Sequence, residues 1–109
     1  MRNQADIEQV ELSIEEAQKK VDRADAALRL ADNSDFKEII MNGYCKDEAV
    51  RLVNTLNEVG FEEVQPDIKR MLESISDFSR YLRHVVREGR MAKESIVDHE
   101  NTLDELRAE

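Results

Sequence analysis

Residues 66–106 read PDIKRMLESISDFSRYLRHVVREGRMAKESIVDHENTLDEL, and their spacing decides the fold. Ile68, Met71, Ile75, Phe78, Leu82, Val85, Gly89, Ala92, Ile96, His99, Leu103 and Leu106 recur at alternating steps of three and four. That is the period of an apolar seam along a helix, and only Gly89 and His99 break its apolar character. Pro66 suits a first helical position, where its missing N–H costs nothing, and Asp67 suits the positive helix start. A helix over about 66–107 is roughly 60 Å long at 1.5 Å per residue. No core that this chain can build would wrap around it, so part of it must pack on another helix or another subunit.

A second seam lies upstream: Ile7, Val10, Ile14, Ala17, Val21, Ala24, Leu28 and Ala31, again in steps of three and four. The two series fit as antiparallel partners. Ile7 falls near Leu106, Ile14 near His99, Val21 near Ala92, Leu28 near Val85 and Ala31 near Leu82. On the other side of the seam Ala17 meets Ile96 and Ala24 lies beside Gly89. Large faces small at several layers, and the Ala24/Gly89 layer lets the two backbones approach closely. Self-association into a coiled coil satisfies the same pattern; pairing within one chain is the favoured reading.

The middle of the chain has another texture. Asn33-Ser34-Asp35 is a helix-capping signal, with Glu38 three residues after Asp35. It predicts a short helix over 36–41, ended by Asn42-Gly43, since both residues tolerate the left-handed conformation. A second short helix is expected over 46–57, with Val50, Val53 and Leu56 on one face, Leu52 flanking, and Gly60 as its stop. The expected fold is therefore all-α and a single helical domain, 1–109. Long N- and C-terminal helices form an antiparallel coiled-coil stalk (5–31 and 87–107). Two short helices pack into a compact helical head (34–86) around Phe36, Leu52, Leu56, Leu72 and Phe78.

Composition agrees. About a quarter of the chain is Leu, Ile, Val or Phe, above the roughly 20 % below which disorder is expected. With three Gly and one Pro, there is little punctuation for a sandwich or barrel. No apolar run is long enough to span a membrane, and Met1 is not followed by a signal-peptide apolar block. The single cysteine, Cys45, cannot form an internal disulfide, which fits a reducing cytosol.

Chemistry has little to work with. The two histidines are His84 and His99, and there is no nucleophile elbow, phosphate-binding glycine loop or cysteine pair for zinc. Asp98, His99 and Glu100 point to different helix faces. His99 reads as a polar seam residue that fixes register, and Cys45 as a small residue packed at a helix junction. Glu8, Glu11, Glu15 and Asp22 fall on outward faces of the first helix, where solvated charge is the default. The expectation is no catalytic residue, no cofactor, no metal and no enzymatic activity.

Charge says more. A net charge of −9 argues against nucleic-acid binding by the whole surface. Yet Arg80, Arg83, Arg87 and Arg90 recur at steps of 3, 4 and 3 on the face opposite the seam. The bland reading is a solvated face balanced by Asp77 and Glu94. The functional reading is a partner-binding stripe for an acidic protein surface or a phosphate backbone; for an acidic tail of a neighbouring subunit, Asp104 and Glu105 are the natural counterparts.

Asp35-Phe36-Lys37-Glu38-Ile39-Ile40, Gly43-Tyr44 and Glu48-Ala49-Val50-Arg51-Leu52-Val53 resemble segments of small, poorly characterised tailed-bacteriophage proteins encoded among virion structure and assembly genes. Phe78-Ser79-Arg80-Tyr81-Leu82-Arg83 and Gly89-Arg90-Met91-Ala92 continue the resemblance, as does the charged helical N-terminus. The resemblance implies a non-catalytic virion-associated or assembly protein of scaffold or connector type. Its partners would be copies of itself or other phage structural proteins, with no membrane. Its place would be the host cytoplasm during infection, or the virion. The alternative is an acidic phage-encoded inhibitor of a host nucleic-acid enzyme or defence protein. Its carboxylates would mimic phosphates, a reading that the interleaved arginines weaken.

Overall fold

The computed structural model describes residues 2–109, and among them there are helices and no strand. Helix α1 runs Arg2–Asp32. After it come α2, Ser34–Phe36, a π-helical stretch, Lys37–Glu48, and α3, Ala49–Leu56. A 3-10 turn, Glu62–Val64, leads into α4, Gln65–Ala108. Both long helices follow from their three-four seams, and the protein is all-α. No helix among the described residues is long and apolar enough to cross a membrane.

The chain divides into two compact units: Met1–Ala27 with His84–Glu109, and Leu28–Arg83. In the first, Ala17, Val21 and Ala92 form a buried cluster with Ile96 packed against it, as the seam spacing predicts. Ala24, Val85 and Leu103 are buried too. The ends of the two helices are tied by polar contacts. The Asn3 side-chain amide donates to the Leu106 carbonyl at 3.1 Å, and Arg107 donates to Glu11 at 3.1 Å.

The second unit is built on Leu52, Ile68 and Ile75, with Tyr44, Cys45, Ala49, Leu56 and Leu72 packed around them. Leu52 is 3 % exposed and is the centre of that cluster rather than its flank. Phe36 and Phe78 are half-buried. Phe78 stands edge-on to Tyr44, ring centroids 5.9 Å apart and planes at 83°.

Four expectations need correction. Asn42-Gly43 does not end a helix: the chain stays helical from Ser34 through Leu56. Gly43 does not take the left-handed conformation, and Gly60 is the one described residue with that geometry, at φ 98°. Continuing the helix through Gly43 carries Tyr44 and Cys45 onto the core. The wide winding brings Gly43 over the carbonyl of Glu38, where an added Cβ would lie 3.1 Å from that oxygen.

Val50 and Val53 are exposed, because α3 turns Ala49, Leu52 and Leu56 to the core. Val53 then lies roughly 100° and Val50 roughly 160° around the helix from Leu52. Leu28 is 52 % exposed and Met71 is exposed as well. A straight helix drifts from a strict seven-residue repeat, so in the second unit the core takes Ile68, Leu72 and Ile75 instead of Met71. Leu28 lies beyond the buried run of α1, which closes at Ala24.

Helix ends are accounted for. The Asn33 side chain accepts from the Phe36 N–H at 3.0 Å, the N-cap bond that its residue type predicts. The Gln65 side chain donates to the Leu56 carbonyl at 3.1 Å, satisfying a group left open where α3 stops.

Candidate interaction surface

The arginine stripe starts from helix geometry. At 100° per residue, Arg80, Arg83, Arg87 and Arg90 occupy one side of α4, while Val85, Gly89 and Ala92 occupy the opposite, buried side. All four arginines are exposed. Arg80 and Arg83 lie in the part of α4 that belongs to the second unit, and Arg87 and Arg90 in the part that belongs to the first.

Their pairing differs. Arg80 meets Asp77, one turn earlier, at 3.3 Å. Among the described residues, no ion pair is formed by Arg83, Arg87 or Arg90; Glu94, the other expected balance, holds none of them. Glu88 instead takes Lys20 at 3.7 Å, with His84 Nδ1 at 4.0 Å.

The outward side of α1 has the opposite sign. Glu8, Glu11 and Glu15 are exposed. Glu11 is held by Arg107, whereas Glu8 receives only the Gln4 side-chain amide at 3.3 Å. Glu15 forms no ion pair among the described residues. Lys19, next along this side, turns to Glu16 at 3.2 Å. Asp104 lines a groove with Glu11, Ile14, Leu103 and Arg107, on the side of α4 that meets α1.

Sequence reasoning missed a feature of the first unit. An open groove of about 440 Å³ runs between α1 and α4, with exposed Leu12 and Met91 at its rims and Ala17 and Ala92 at its floor. Neither Leu12 nor Met91 sits on a seam, so periodicity alone read neither. Their signal was an apolar residue among charged neighbours.

The residues noted for possible chemistry are not brought together. His84 is exposed, His99 half-buried, and Cys45 sits in the second unit against the Leu52 cluster. Among the described residues, no group of three or more His, Cys, Asp or Glu could hold a metal ion. The carboxyl of Glu48 is held below its usual range by its hydrogen bond with Arg51. The carboxyl of Glu62 is lowered by backbone N–H groups, its own and that of Gly60. Both belong to local helix and turn contacts.

The chain matches no protein-family model, no curated protein and no solved structure.

Proposed function

We propose that the chain is a non-catalytic helical assembly protein, of the scaffold or connector kind found among tailed-bacteriophage virion proteins. It acts through helix-to-helix and subunit contacts. α1 and the end of α4 pair as an antiparallel coiled coil within one chain, and Arg80, Arg83, Arg87 and Arg90 dock onto an acidic protein surface. The phage assignment rests on the sequence resemblance alone. The docking surface rests on three exposed arginines that form no ion pair among the described residues.

The pairing reading is supported by contacts that match early residues of α1 with late residues of α4: Asn3 with Leu106, Glu11 with Arg107, and Ala17 and Val21 with Ala92 and Ile96. Arginine at a partner surface is the economical choice, because its planar fork takes two oxygens of a carboxylate at once. Arg83, Arg87 and Arg90 enter no ion pair among the described residues, which leaves their guanidinium groups available for the docking proposed. Mass spectrometry of purified particles of the encoding phage tests the assembly role. Stoichiometric copies support it. Absence from mature particles and from their assembly intermediates overturns it.

A further inference from the structure

We propose that the occupant of the arginine face is a second copy of this chain, presenting the outward side of its α1. This inference rests on the reading of that face as a docking surface and names its partner.

The two rows match in sign and in step. Along α1, Glu8, Glu11, Glu15 and Gln18 are separated by 3, 4 and 3 residues. Read backwards along α4, Arg90, Arg87, Arg83 and Arg80 are separated by 3, 4 and 3. Two helices laid antiparallel in this register put Glu8 opposite Arg90, Glu11 opposite Arg87 and Glu15 opposite Arg83. The fourth position is neutral against cation, Gln18 opposite Arg80. Those are the two that need nothing more: Arg80 already holds Asp77, and the Gln18 amide already donates to Asp22 at 2.9 Å. The unpaired arginines meet carboxylates, of which Glu11 also holds Arg107 of its own chain at 3.1 Å.

The local charge is one-sided over the whole contact. Residues 6–18 hold five acids and no base, and residues 80–93 hold five bases and one acid, Glu88.

The rows lie on different helices, each turned away from the buried seam, so the contact is head-to-tail. One copy offers arginines to its neighbour on one side and glutamates to the next on the other. Such a contact repeats, giving a closed ring or an open row of copies.

Light scattering on the full-length chain and two surface variants tests this. Wild type should exceed the monomer mass in low salt and fall to it in molar salt, as screening removes the attraction. Arg83→Glu/Arg90→Glu sets like charges against Glu15 and Glu8, and Glu8→Arg/Glu15→Arg sets like charges against Arg90 and Arg83. Each alone should be monomeric, and an equimolar mixture should regain the wild-type mass. The milder Arg83→Gln/Arg90→Gln should weaken self-association at least tenfold with circular dichroism unchanged.

A wild type that is monomeric in low salt overturns the inference, as does either variant keeping its mass alone, or a mixture that does not recover. The outcomes separate this inference from the broader reading. Should wild type be monomeric while the arginine reversals abolish capture by another virion protein, the arginine face docks and its occupant is not a second copy.

Discussion

Gly89 on α4 lies so close to Ala24 on α1 that a Cβ built on the glycine would sit 2.1 Å from the alanine Cβ and 3.2 Å from the Lys20 carbonyl oxygen. No two non-bonded carbons approach that closely, so the absence of a side chain at 89 sets the distance between the helices. Glycine inside a helix costs about 1 kcal/mol against alanine. Gly89→Ala should gain that amount and lose more, since overpacking a fitted site costs about 1–3 kcal/mol. A lower urea midpoint is expected, with part of the loss recovered by adding Ala24→Gly. A raised midpoint in the single variant would show that the helices do not meet here.

The second unit gives a graded test. Leu52 is its most buried side chain, and Leu52→Ala should cost about 2–5 kcal/mol. Phe78 is half-buried, so Phe78→Ala should fall below the roughly 3–5 kcal/mol of a fully buried ring. Its edge-on contact with Tyr44 should appear as a coupling of about 0.5–1.5 kcal/mol in a double-mutant cycle. Equal losses at the two sites would place the core elsewhere.

These residues also show where sequence reading succeeds and where it stops. Ala17, Val21, Ala24, Val85 and Ala92 are buried as their spacing predicts, because one helical period fixes one face. Gly43 misled, because a glycine after asparagine signals a helix end only when it takes positive φ. Here Tyr44 and Cys45 have a core to reach, and tertiary packing overrides the local signal. Leu52, Val53 and Val50 spread over roughly 160° of α3, and local pattern cannot say which end of that spread faces inward. The arginine face was legible as a row of charges. That Arg80 is paired and its three neighbours are not could be learned only from side-chain geometry.

Glu48 and Arg51 allow a titration test. Hydrogen bonding to Arg51 lowers the Glu48 pKa in the folded state. Its contribution to stability is therefore present above the unfolded carboxyl pKa and lost as pH falls through the lowered folded value. Carbon-detected NMR should find Glu48 titrating below an ordinary exposed glutamate, and Arg51→Gln should return it to the usual range. An unchanged midpoint in that variant would remove Arg51 as the cause.

Pairing within one chain can be tested by cross-linking. In a Cys45→Ser background, cysteines at Ile14 and His99 should form a disulfide inside the monomer, visible as a mobility shift without a change in mass class. The placement of Ile14 in the groove with Glu100 and Leu103 favours that reach. Dimers alone, or no bond under oxidation, would mean that the seams pair between chains.

The sharpest separation of folding from binding comes at Arg83 and Arg87. Both are exposed, neither forms an ion pair among the described residues, and both stand across α4 from buried Val85 and Gly89. Reversing them to glutamate removes no intramolecular bond, so helicity should persist and stability should stay within about 0.5 kcal/mol of wild type. Arg80→Glu differs by losing the Asp77 contact, an exposed pair worth about 0–1 kcal/mol. Partner binding should behave oppositely. It should vanish in Arg83→Glu/Arg87→Glu, and in wild type it should weaken steadily as salt rises, because the contact is charge on charge. Binding that survives the double reversal with its salt dependence intact would leave this side of α4 a solvated surface and nothing more.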